Sequence, residues 1–249
     1  MIKWTKKKEQ QLLKLRDTGK SYADIADELG ITIGSAKHKY IRLMQVRNES
    51  KYHHPIEKTE QILKYVDFSK VKRVYETFAG HGNLSTIYAK YAKVVGIDNN
   101  KTKVDFCNSI RGVTCIKDDS YRNIYKQILD GKRYDLIDID GYCYPSRFFP
   151  HIFLLLNKGY LIFTFPKIGV QKCHAVYKLH YATFYGIHDT LAPYKDKVVE
   201  AVQRYGMMNF RVAKLINYTR IDRIDRFIFW VERKSSLDIT GLKVKGINY

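Results

Sequence analysis

One continuous stretch, residues 74–98, constrains the fold of this chain more than any other. It reads VYETFAGHGNLSTIYAKYAKVVGID: an apolar run ending in Glu76, a turn with Gly80 and Gly82, an apolar-periodic segment, and a second apolar run ending in Asp98. This order predicts a strand, a glycine turn, a helix, a strand and an acid. Such a unit places its turn at the carboxyl end of a parallel sheet, where open α/β sheets bind ligands.

The turn departs from the GxGxxG pattern of dinucleotide-binding folds, because the third glycine would fall at Ser85 and an acid, Glu76, lies four residues before the first glycine. In this form ETFAGHGNLS, followed by Asp98, resembles the S-adenosylmethionine pocket of class I methyltransferases. The resemblance implies that the glycines approach the cofactor, that Glu76 lies beside its methionine end, and that Asp98 holds the ribose hydroxyls. The implied cofactor-binding residues are Glu76, Phe78, Ala79, Gly80, Gly82, Asn83, Leu84, Asp98 and Asn99. A β–α–β turn that uses glycine only for its backbone geometry is the alternative.

A pair of acids follows the third predicted strand, GVTCI. This strand runs directly into Lys117, Asp118, Asp119 and Ser120. In class I methyltransferases an acid at this place faces the adenine amino group, so the resemblance implies that Asp118 or Asp119 binds the adenine of the cofactor. Two solvated turn acids without a ligand are the alternative.

The charge of the chain favours a polyanionic partner. Its 249 residues carry 44 Lys and Arg against 25 Asp and Glu, a formal net charge of +19, and nucleic acid is the usual partner for such an excess. A basic protein without such a partner is the alternative. No stretch approaches the roughly 20 apolar residues of a membrane span, and the N-terminus lacks an apolar signal core. Because the four cysteines share no CxxC or zinc-like spacing, we expect an intracellular, cytoplasmic protein without a structural metal.

The first fifth of the chain is predicted to form a separate domain of three helices. Thr5 is a suitable N-cap for the first helix, Ser21 and Asp24 suit a capping box for the second, Gly30 gives a sharp turn, and Thr32 opens the third. Three helices with a glycine-containing turn in so short a span are typical of helix-turn-helix domains. The amino-acid sequence of this segment resembles those of Myb-like and related regulatory helix-turn-helix domains.

Polar and basic side chains are expected on the outer face of the third helix. A helix of this composition suits the major groove, with base edges read near its N-terminus and phosphates bound by the basic side chains. The predicted nucleic-acid-binding residues are Ser35, Lys37, His38, Lys39, Arg42 and Arg47. A protein-docking module with a solvated basic face is the alternative.

The segment YDLIDIDGYCYPSRFFP, residues 134–150, carries the predicted chemistry. YDLIDI is predicted to be a buried parallel strand with Asp140 at its end. Amino-methyltransferases have a DPPY-like motif at this place, in which a carboxylate or carboxamide accepts hydrogen bonds from the target amine and an aromatic ring stacks on the base. DIDGYCYP is most similar to the D-[IL]-D-P-[YF]-G-[ST]-P stretch of tRNA guanine-N2 dimethyltransferases, with Gly141 in place of a proline and Cys143 in place of a glycine. The resemblance implies catalytic roles for Asp140, Tyr142, Tyr144 and Pro145.

Two further residues of this segment have alternative roles. Asp138 is assigned to the cofactor-binding set and to the opposite face of the strand from Asp140, and it takes the place of Asp140 if the strand ends earlier. Cys143 lies in a D-x-x-C stretch similar to the DAPC of RNA cytosine-C5 methyltransferases. Because the second cysteine motif of those enzymes is missing, a loop cysteine is favoured over a nucleophile.

Together these motifs predict a doubly wound α/β fold with a mostly parallel seven-stranded sheet, preceded by a small helical domain. The predicted domains are residues 1–50 (helix-turn-helix), 51–236 (methyltransferase) and 237–249 (basic tail), with a linker at 48–57. The predicted function is transfer of a methyl group from S-adenosyl-L-methionine to an exocyclic base amine, and the helix-turn-helix favours adenine N6 of DNA. An RNA methyltransferase of the tRNA guanine-N2 type and a DNA-binding regulator without activity are the alternatives.

Overall fold

Two compact units make up the chain, Met1–Pro55 and Ile56–Tyr249. The structure, a computed structural model, describes residues 4–40, 43, 54–141, 145–166, 181–186, 194–222 and 224–233. The division falls shortly after the boundary predicted at residue 50. The predicted basic tail, 237–249, lies outside the described residues.

Three helical segments pack around one small core in the N-terminal unit. Helix α1 is Lys6–Asp17, helix α2 is Tyr22–Leu29, and residues 33–40 form helix α3. Each segment contributes at least one apolar side chain, and the buried members of this core are Leu12, Ile25, Leu29 and Ala36. The three helical segments therefore lie where the sequence predicts them.

The ends of these helices follow from local chemistry. The Thr5 side chain accepts a hydrogen bond from a backbone amide at the start of α1, and Ser21 and Asp24 form a reciprocal capping box at the start of α2. Gly30 ends α2 in the left-handed conformation, with φ of 61°, which glycine adopts without steric cost. The predicted caps and turn are confirmed.

A seven-stranded sheet forms the centre of the second unit. Its strands are β1 Arg73–Thr77, β2 Lys93–Asp98, β3 Val113–Lys117, β4 Tyr134–Ile139, β5 Leu156–Pro166, β6 Arg211–Ile221 and β7 Ile224–Arg233. The spatial order is β3-β2-β1-β4-β5-β7-β6. Strands β1 to β5 are parallel, and β7 runs antiparallel between β5 and β6. The predicted fold class is confirmed, and β6 and β7 form a closing hairpin.

Helices accompany the sheet along the chain. They are α4 Pro55–Tyr65, α5 Asn83–Tyr88, α6 Lys101–Cys107, α7 Ser120–Leu129, α8 Phe149–Ile152, α9 (181–185) and α10 Lys195–Met208. The linker predicted to extend to residue 57 is wrong at its end, since α4 already begins at Pro55. Proline is tolerated in a first helical turn because the amide hydrogen that it lacks has no partner there. Among the described helices, none combines the length and the apolar character that crossing a bilayer requires.

The alternation of side chains along the strands divides the core of this unit in two. One face packs against α7, α8 and α10 through strand residues that include Tyr75, Ile137, Leu161 and Phe227. The opposite face packs against α4, α5 and α6 through Val74, Leu136, Ile162 and Ile228. Residues two apart on one strand therefore share a face. The period places Glu76, Asp138 and Arg226 on the face that α4 and α5 cover.

Candidate active site

The glycine turn after β1 and the acid at the end of β2 lie against each other. The backbone amide of Gly80 donates to Asp98 Oδ2 at 3.0 Å, and the amide of Asn100 donates to Asp98 Oδ1 at 2.8 Å. A Cβ added to Gly80 would meet only the carbonyl oxygen of Phe78, at 3.8 Å. Gly80 therefore borders open space beside a carboxylate that two amides hold in place.

Gly82 has a different reason to be glycine. Its φ is +73°, and a Cβ there would lie 2.5 Å from Ile110 Cδ1 and 2.8 Å from Cys107 Sγ. The close packing against α6 and the backbone conformation both exclude a side chain. Gly80 also has a positive φ, +57°, so backbone conformation favours glycine at both positions, and Gly80 differs from Gly82 in having open space beside it.

Glu76 lies at the end of β1 and is covered. It accepts a hydrogen bond from Ser85 Oγ of α5 at 2.5 Å, and only 2% of its surface is exposed. Burial raises the pKa of Glu76 well above its usual range, and the Ser85 hydrogen bond opposes that rise. In this arrangement Glu76 links β1 to α5 rather than facing the open space beside Gly80.

Asp138 and Asp140 share one guanidinium. Arg226 of β7 contacts Asp138 Oδ2 at 2.5 Å through one nitrogen and Asp140 Oδ1 at 3.3 Å through another. Tyr88 of α5 also donates to Asp138, which has no exposed surface. The prediction that Asp138 faces away from Asp140 is wrong, because residues two apart on a strand point to the same side. Neighbouring side chains cover Asp138 completely, and its assignment to the cofactor-binding set stays a prediction.

Asp140 lies just beyond the end of β4 and accepts from three side chains. Lys58 Nζ of α4 lies 2.6 Å from Oδ1 and 2.8 Å from Oδ2, and Thr164 of β5 donates to Oδ1 at 2.5 Å. The Asp140 side chain is 13% exposed. Burial alone would raise its pKa, but the positive charges of Lys58 and Arg226 outweigh burial and lower the pKa of Asp140 to about 2. Asp140 is therefore a carboxylate throughout the neutral range.

Three members of this site were missed by the sequence analysis: Lys58, Thr164 and Arg226. Lys58 precedes Gln61 and Ile62 by three and four residues, which places it on the buried face of α4. Arg226 interrupts the apolar strand DRFIFWV, and charged residues are rarely buried without a partner. Both features are visible in the sequence, but neither indicates which residue of another helix or strand is the partner of Lys58 or Arg226.

The two acids after β3 are engaged in local contacts. Asp118 accepts from the side chains of Arg122, Asn123 and Lys126 and from the Asp119 amide. Burial acts to raise the pKa of Asp118, but hydrogen bonds from Lys126, Asn123 and Arg122 outweigh it, so this pKa lies well below its usual range. Asp119 caps α7. Contact of either acid with adenine stays a prediction.

Aromatic rings extend from the end of β4 along α7. The Phe78 ring fills the space beside Gly141, where an added Cβ would lie 2.5 Å from Phe78 Cδ2. This contact explains a glycine where the similar motif has proline. Phe78 packs on Phe148, and Phe148 packs on Tyr121, with ring centroids 6.0 and 5.8 Å apart.

We use the name aromatic strip for Tyr121 and Tyr125 of α7 together with His151 of α8. Tyr121 and Tyr125 have centroids 5.3 Å apart, and Tyr125 lies 4.8 Å from His151. The Arg147 guanidinium lies 4.9 Å from the centroid of the Tyr121 ring. The strip thus combines partly exposed rings with a cation stacked on one of them.

The remaining predicted residues fall into three groups. Asn83 and Asn99 are exposed beside the glycine turn. Ala79, Leu84 and Pro145 are buried, so their side chains serve packing. Tyr142, Cys143 and Tyr144 lie outside the described residues, as do Arg42 and Arg47 of the N-terminal unit.

On α3 the predicted nucleic-acid-binding side chains differ in their contacts. Ser35 accepts from the Trp4 ring nitrogen at 3.3 Å, and Lys39 pairs with Glu9 at 2.5 Å. Lys37 and His38 are exposed. Of the predicted nucleic-acid-binding residues in the described part of α3, Lys37 and His38 are therefore the exposed ones, whereas Lys39 is paired with Glu9.

No protein-family model matches the sequence, and no curated protein sequence matches it either. Among solved structures, Trm1 from Pyrococcus horikoshii in complex with S-adenosyl-L-methionine is similar, with a TM-score of 0.54 at 14% identity over 75% of this chain and 55% of that one. This chain thus spans about half of the Trm1 chain. Together with the strand order and the antiparallel β7, this likeness identifies the fold. The chain has the class I methyltransferase fold.

Two further structures with this fold align less closely. Magnesium protoporphyrin IX methyltransferase from Synechocystis PCC 6803 with bound SAH is 16% identical, with a TM-score of 0.48, over 76% of this chain and 87% of that one. A SAM-dependent methyltransferase from Archaeoglobus fulgidus is 14% identical, also with a TM-score of 0.48, over 75% and 99%.

Removal of the shared guanidinium of this methyltransferase fold should destabilise the protein in a pH-dependent way. In Arg226→Met, the buried Asp138 and the partly exposed Asp140 lose a shared cation, which we expect to lower the free energy of unfolding by about 3–5 kcal/mol near neutral pH. Losing the cation raises the folded-state pKa values of both acids, so the loss grows as pH rises above their unfolded values. Urea denaturation at pH 5 and pH 8 should show the larger loss at pH 8.

The exposed Arg233 lies on the same strand. Arg233→Met is the matched control and should change the unfolding free energy by less than about 0.5 kcal/mol at either pH. An equal loss at both pH values in Arg226→Met would contradict the ion-pair account.

Proposed function

We propose that this protein transfers a methyl group from S-adenosyl-L-methionine to an exocyclic amine of a nucleic-acid base. The observation that carries the proposal is Asp140, an ionised and partly exposed carboxylate fixed just beyond the end of β4 by Lys58, Thr164 and Arg226. It lies at the same edge of the sheet as the glycine turn and Asp98. Ligands of open α/β sheets bind along this edge.

The residues at the ends of β1 and β2 fit the cofactor. Gly80 borders open space, so its backbone allows close approach by a ligand. Asp98 accepts one backbone amide on each oxygen, and a carboxylate has lone pairs left for two ribose hydroxyls. When bound, S-adenosylmethionine supplies a methyl group already activated on a sulfonium sulfur.

In this proposal Asp140 orients the target amine and does not act as a general base. A carboxylate with a pKa of about 2 accepts hydrogen bonds from a target amine but is too weak a base to remove its proton before transfer. Accepting those hydrogen bonds orients the nitrogen lone pair toward the methyl group. Transfer forms the N–C bond, breaks the S–C bond and releases one proton from the nitrogen to water.

Charge and the N-terminal unit support DNA as the substrate. The net charge of +19 suits a polyanion. Helix α3 follows the Gly30 turn and exposes Lys37 and His38, which suits insertion into the major groove. Adenine N6 is the commonest amine target in DNA, so we place it first.

The aromatic strip supports RNA as a second candidate substrate. Unpaired bases of RNA stack on aromatic side chains and on Arg guanidinium planes. Tyr121, Tyr125 and His151, with Arg147 over the Tyr121 ring, offer both kinds of partner. The similarity of DIDGYCYP to the motif of tRNA guanine-N2 dimethyltransferases points to the same substrate.

Transfer of labelled methyl from S-adenosylmethionine to matched pools of genomic DNA and total RNA tests the function. We expect label in DNA with the wild-type protein and at least about 100-fold less with Asp140→Ala, because the amine loses its acceptor. Asp130→Ala, which changes an exposed acid after α7, is the control and should transfer as wild type does.

Each other result selects a different function. Label only in RNA would replace DNA by the second candidate. Label in neither pool, with retained cofactor binding, would contradict methyl transfer and support a DNA-binding regulator without activity. Equal transfer by Asp140→Ala would remove Asp140 from the site.

The role of the N-terminal unit is tested by binding to duplex DNA at several salt concentrations. Replacing Lys37 and His38 together by alanine should weaken binding and reduce the slope of log K against log salt by about 1, because one phosphate contact is lost. Lys14→Ala, at an exposed lysine of α1, is the control. Unchanged affinity and slope in the double variant would contradict DNA binding through α3.

A further inference from the structure

We propose that Lys58 is a positioning residue that keeps Asp140 ionised and fixes the direction in which it accepts the target amine. The inference rests on the proposed function and adds to it a residue from the helix that precedes the sheet. Lys58 is separated from Asp140 by 82 positions in the chain. Its ammonium nevertheless lies within 2.8 Å of both carboxylate oxygens.

The geometry around Lys58 is fixed by the burial of its side chain and by neighbouring contacts of α4. Only 3% of the Lys58 side chain is exposed, so water cannot replace its ion pair. One helical turn later, Gln61 donates to Asn217 at 2.7 Å and to Thr219 at 3.1 Å, both on β6. These bonds anchor α4 to the far edge of the sheet and hold the ammonium in place.

Lys58 completes the charge balance around Asp140. Asp140 contacts Lys58 of α4, Thr164 of β5 and Arg226 of β7. The carboxylates of Asp138 and Glu76 are close enough to repel it. Asp138 and Asp140 are matched by one guanidinium and one ammonium. Without Lys58, a single guanidinium would face both carboxylates, and repulsion between them would raise the pKa of Asp140.

The contact also determines which lone pairs of Asp140 remain for a substrate. Oδ1 accepts from Lys58, Thr164 and Arg226, whereas Oδ2 accepts only from Lys58 among the described residues. Oδ2 is therefore the oxygen that accepts the target amine. A protonated Asp140 would offer a donor where the amine needs an acceptor, so Lys58 sets the lower pH limit of transfer.

The direct test is titration of the Asp140 carboxyl by carbon-13 NMR in aspartate-labelled protein, with the signal assigned by Asp140→Asn. In wild-type protein Asp140 should stay ionised down to the acid limit of folding. In Lys58→Met its midpoint should rise by at least about one pH unit, and Lys58→Arg should restore the wild-type titration. Lys64→Met, at an exposed lysine of the same helix, is the matched control.

The pH profile of methyl transfer is the second readout. Lys58→Met should lose at least about tenfold in kcat across the neutral range, because Asp140 is no longer held in one direction, and should change KM less than kcat; the acid limb of its profile should move to higher pH by as much as the Asp140 midpoint moves. Lys58→Arg should keep the wild-type profile. Thermal unfolding of each variant shows whether it is folded, and Lys58→Gln replaces Lys58→Met if the latter does not fold.

Two results would overturn the inference. One is an Asp140 titration unchanged in Lys58→Met. The other is a higher kcat in that variant, which would mean that Lys58 blocks the place of the target amine. Absence of transfer by wild-type protein would contradict the proposed function instead, and the NMR titration would still test the role of Lys58.

Discussion

Two neighbouring carboxylates determine how this edge of the sheet is built: Asp138 is buried on β4, and Asp140 lies just beyond the end of that strand and is partly exposed. Leaving buried carboxylates without cations would cost several kcal/mol, and the cations come from elements far away in the chain. Strand β5 lies between β7 and β4, and the Arg226 side chain of β7 reaches across β5 to Asp138 and Asp140, although 86 positions separate Arg226 from Asp140. Helix α4, which precedes the sheet in the chain, contributes Lys58 to Asp140, and α5 contributes the Tyr88 hydroxyl to Asp138. The closing hairpin and the helix before the sheet are therefore parts of the site as well as of the core.

Two different environments lie along this edge of the sheet, one at the ends of β1 and β2 and one at the end of β4. At the ends of β1 and β2, backbone amides and Asp98 form a polar border around open space at Gly80. Just beyond the end of β4, the negative charge of Asp140 is balanced by Lys58 and Arg226. Its side chain remains partly exposed and can still accept a hydrogen bond. A sulfonium methyl group needs alignment more than it needs a base, so an acid with a strongly lowered pKa suits this chemistry better than a general base would.

Features determined by neighbouring residues were predictable from the sequence, and features determined by distant ones were not. The capping box of Ser21 and Asp24, the Gly30 turn and the strand ending in Asp98 depend on residues a few positions apart, and each was found. The contacts of Lys58 with Asp140 and of Arg226 with Asp138 span more than 80 positions, and no local pattern encodes them. The wrong prediction for Asp138 has another origin, since a period of two places it on the same face as Asp140 and not on the opposite one.

The central claim is that the edge formed by Gly80, Asp98 and Asp140 is a methyltransferase site, and cofactor binding tests it most directly. We would titrate S-adenosylhomocysteine, the product form of the cofactor, into the wild-type protein and into Asp98→Asn by calorimetry. The account predicts one bound molecule per wild-type chain and binding at least about tenfold weaker in the variant, because a charged acceptor is replaced by a neutral one. No binding by wild-type protein, or equal affinity in the two proteins, would contradict it.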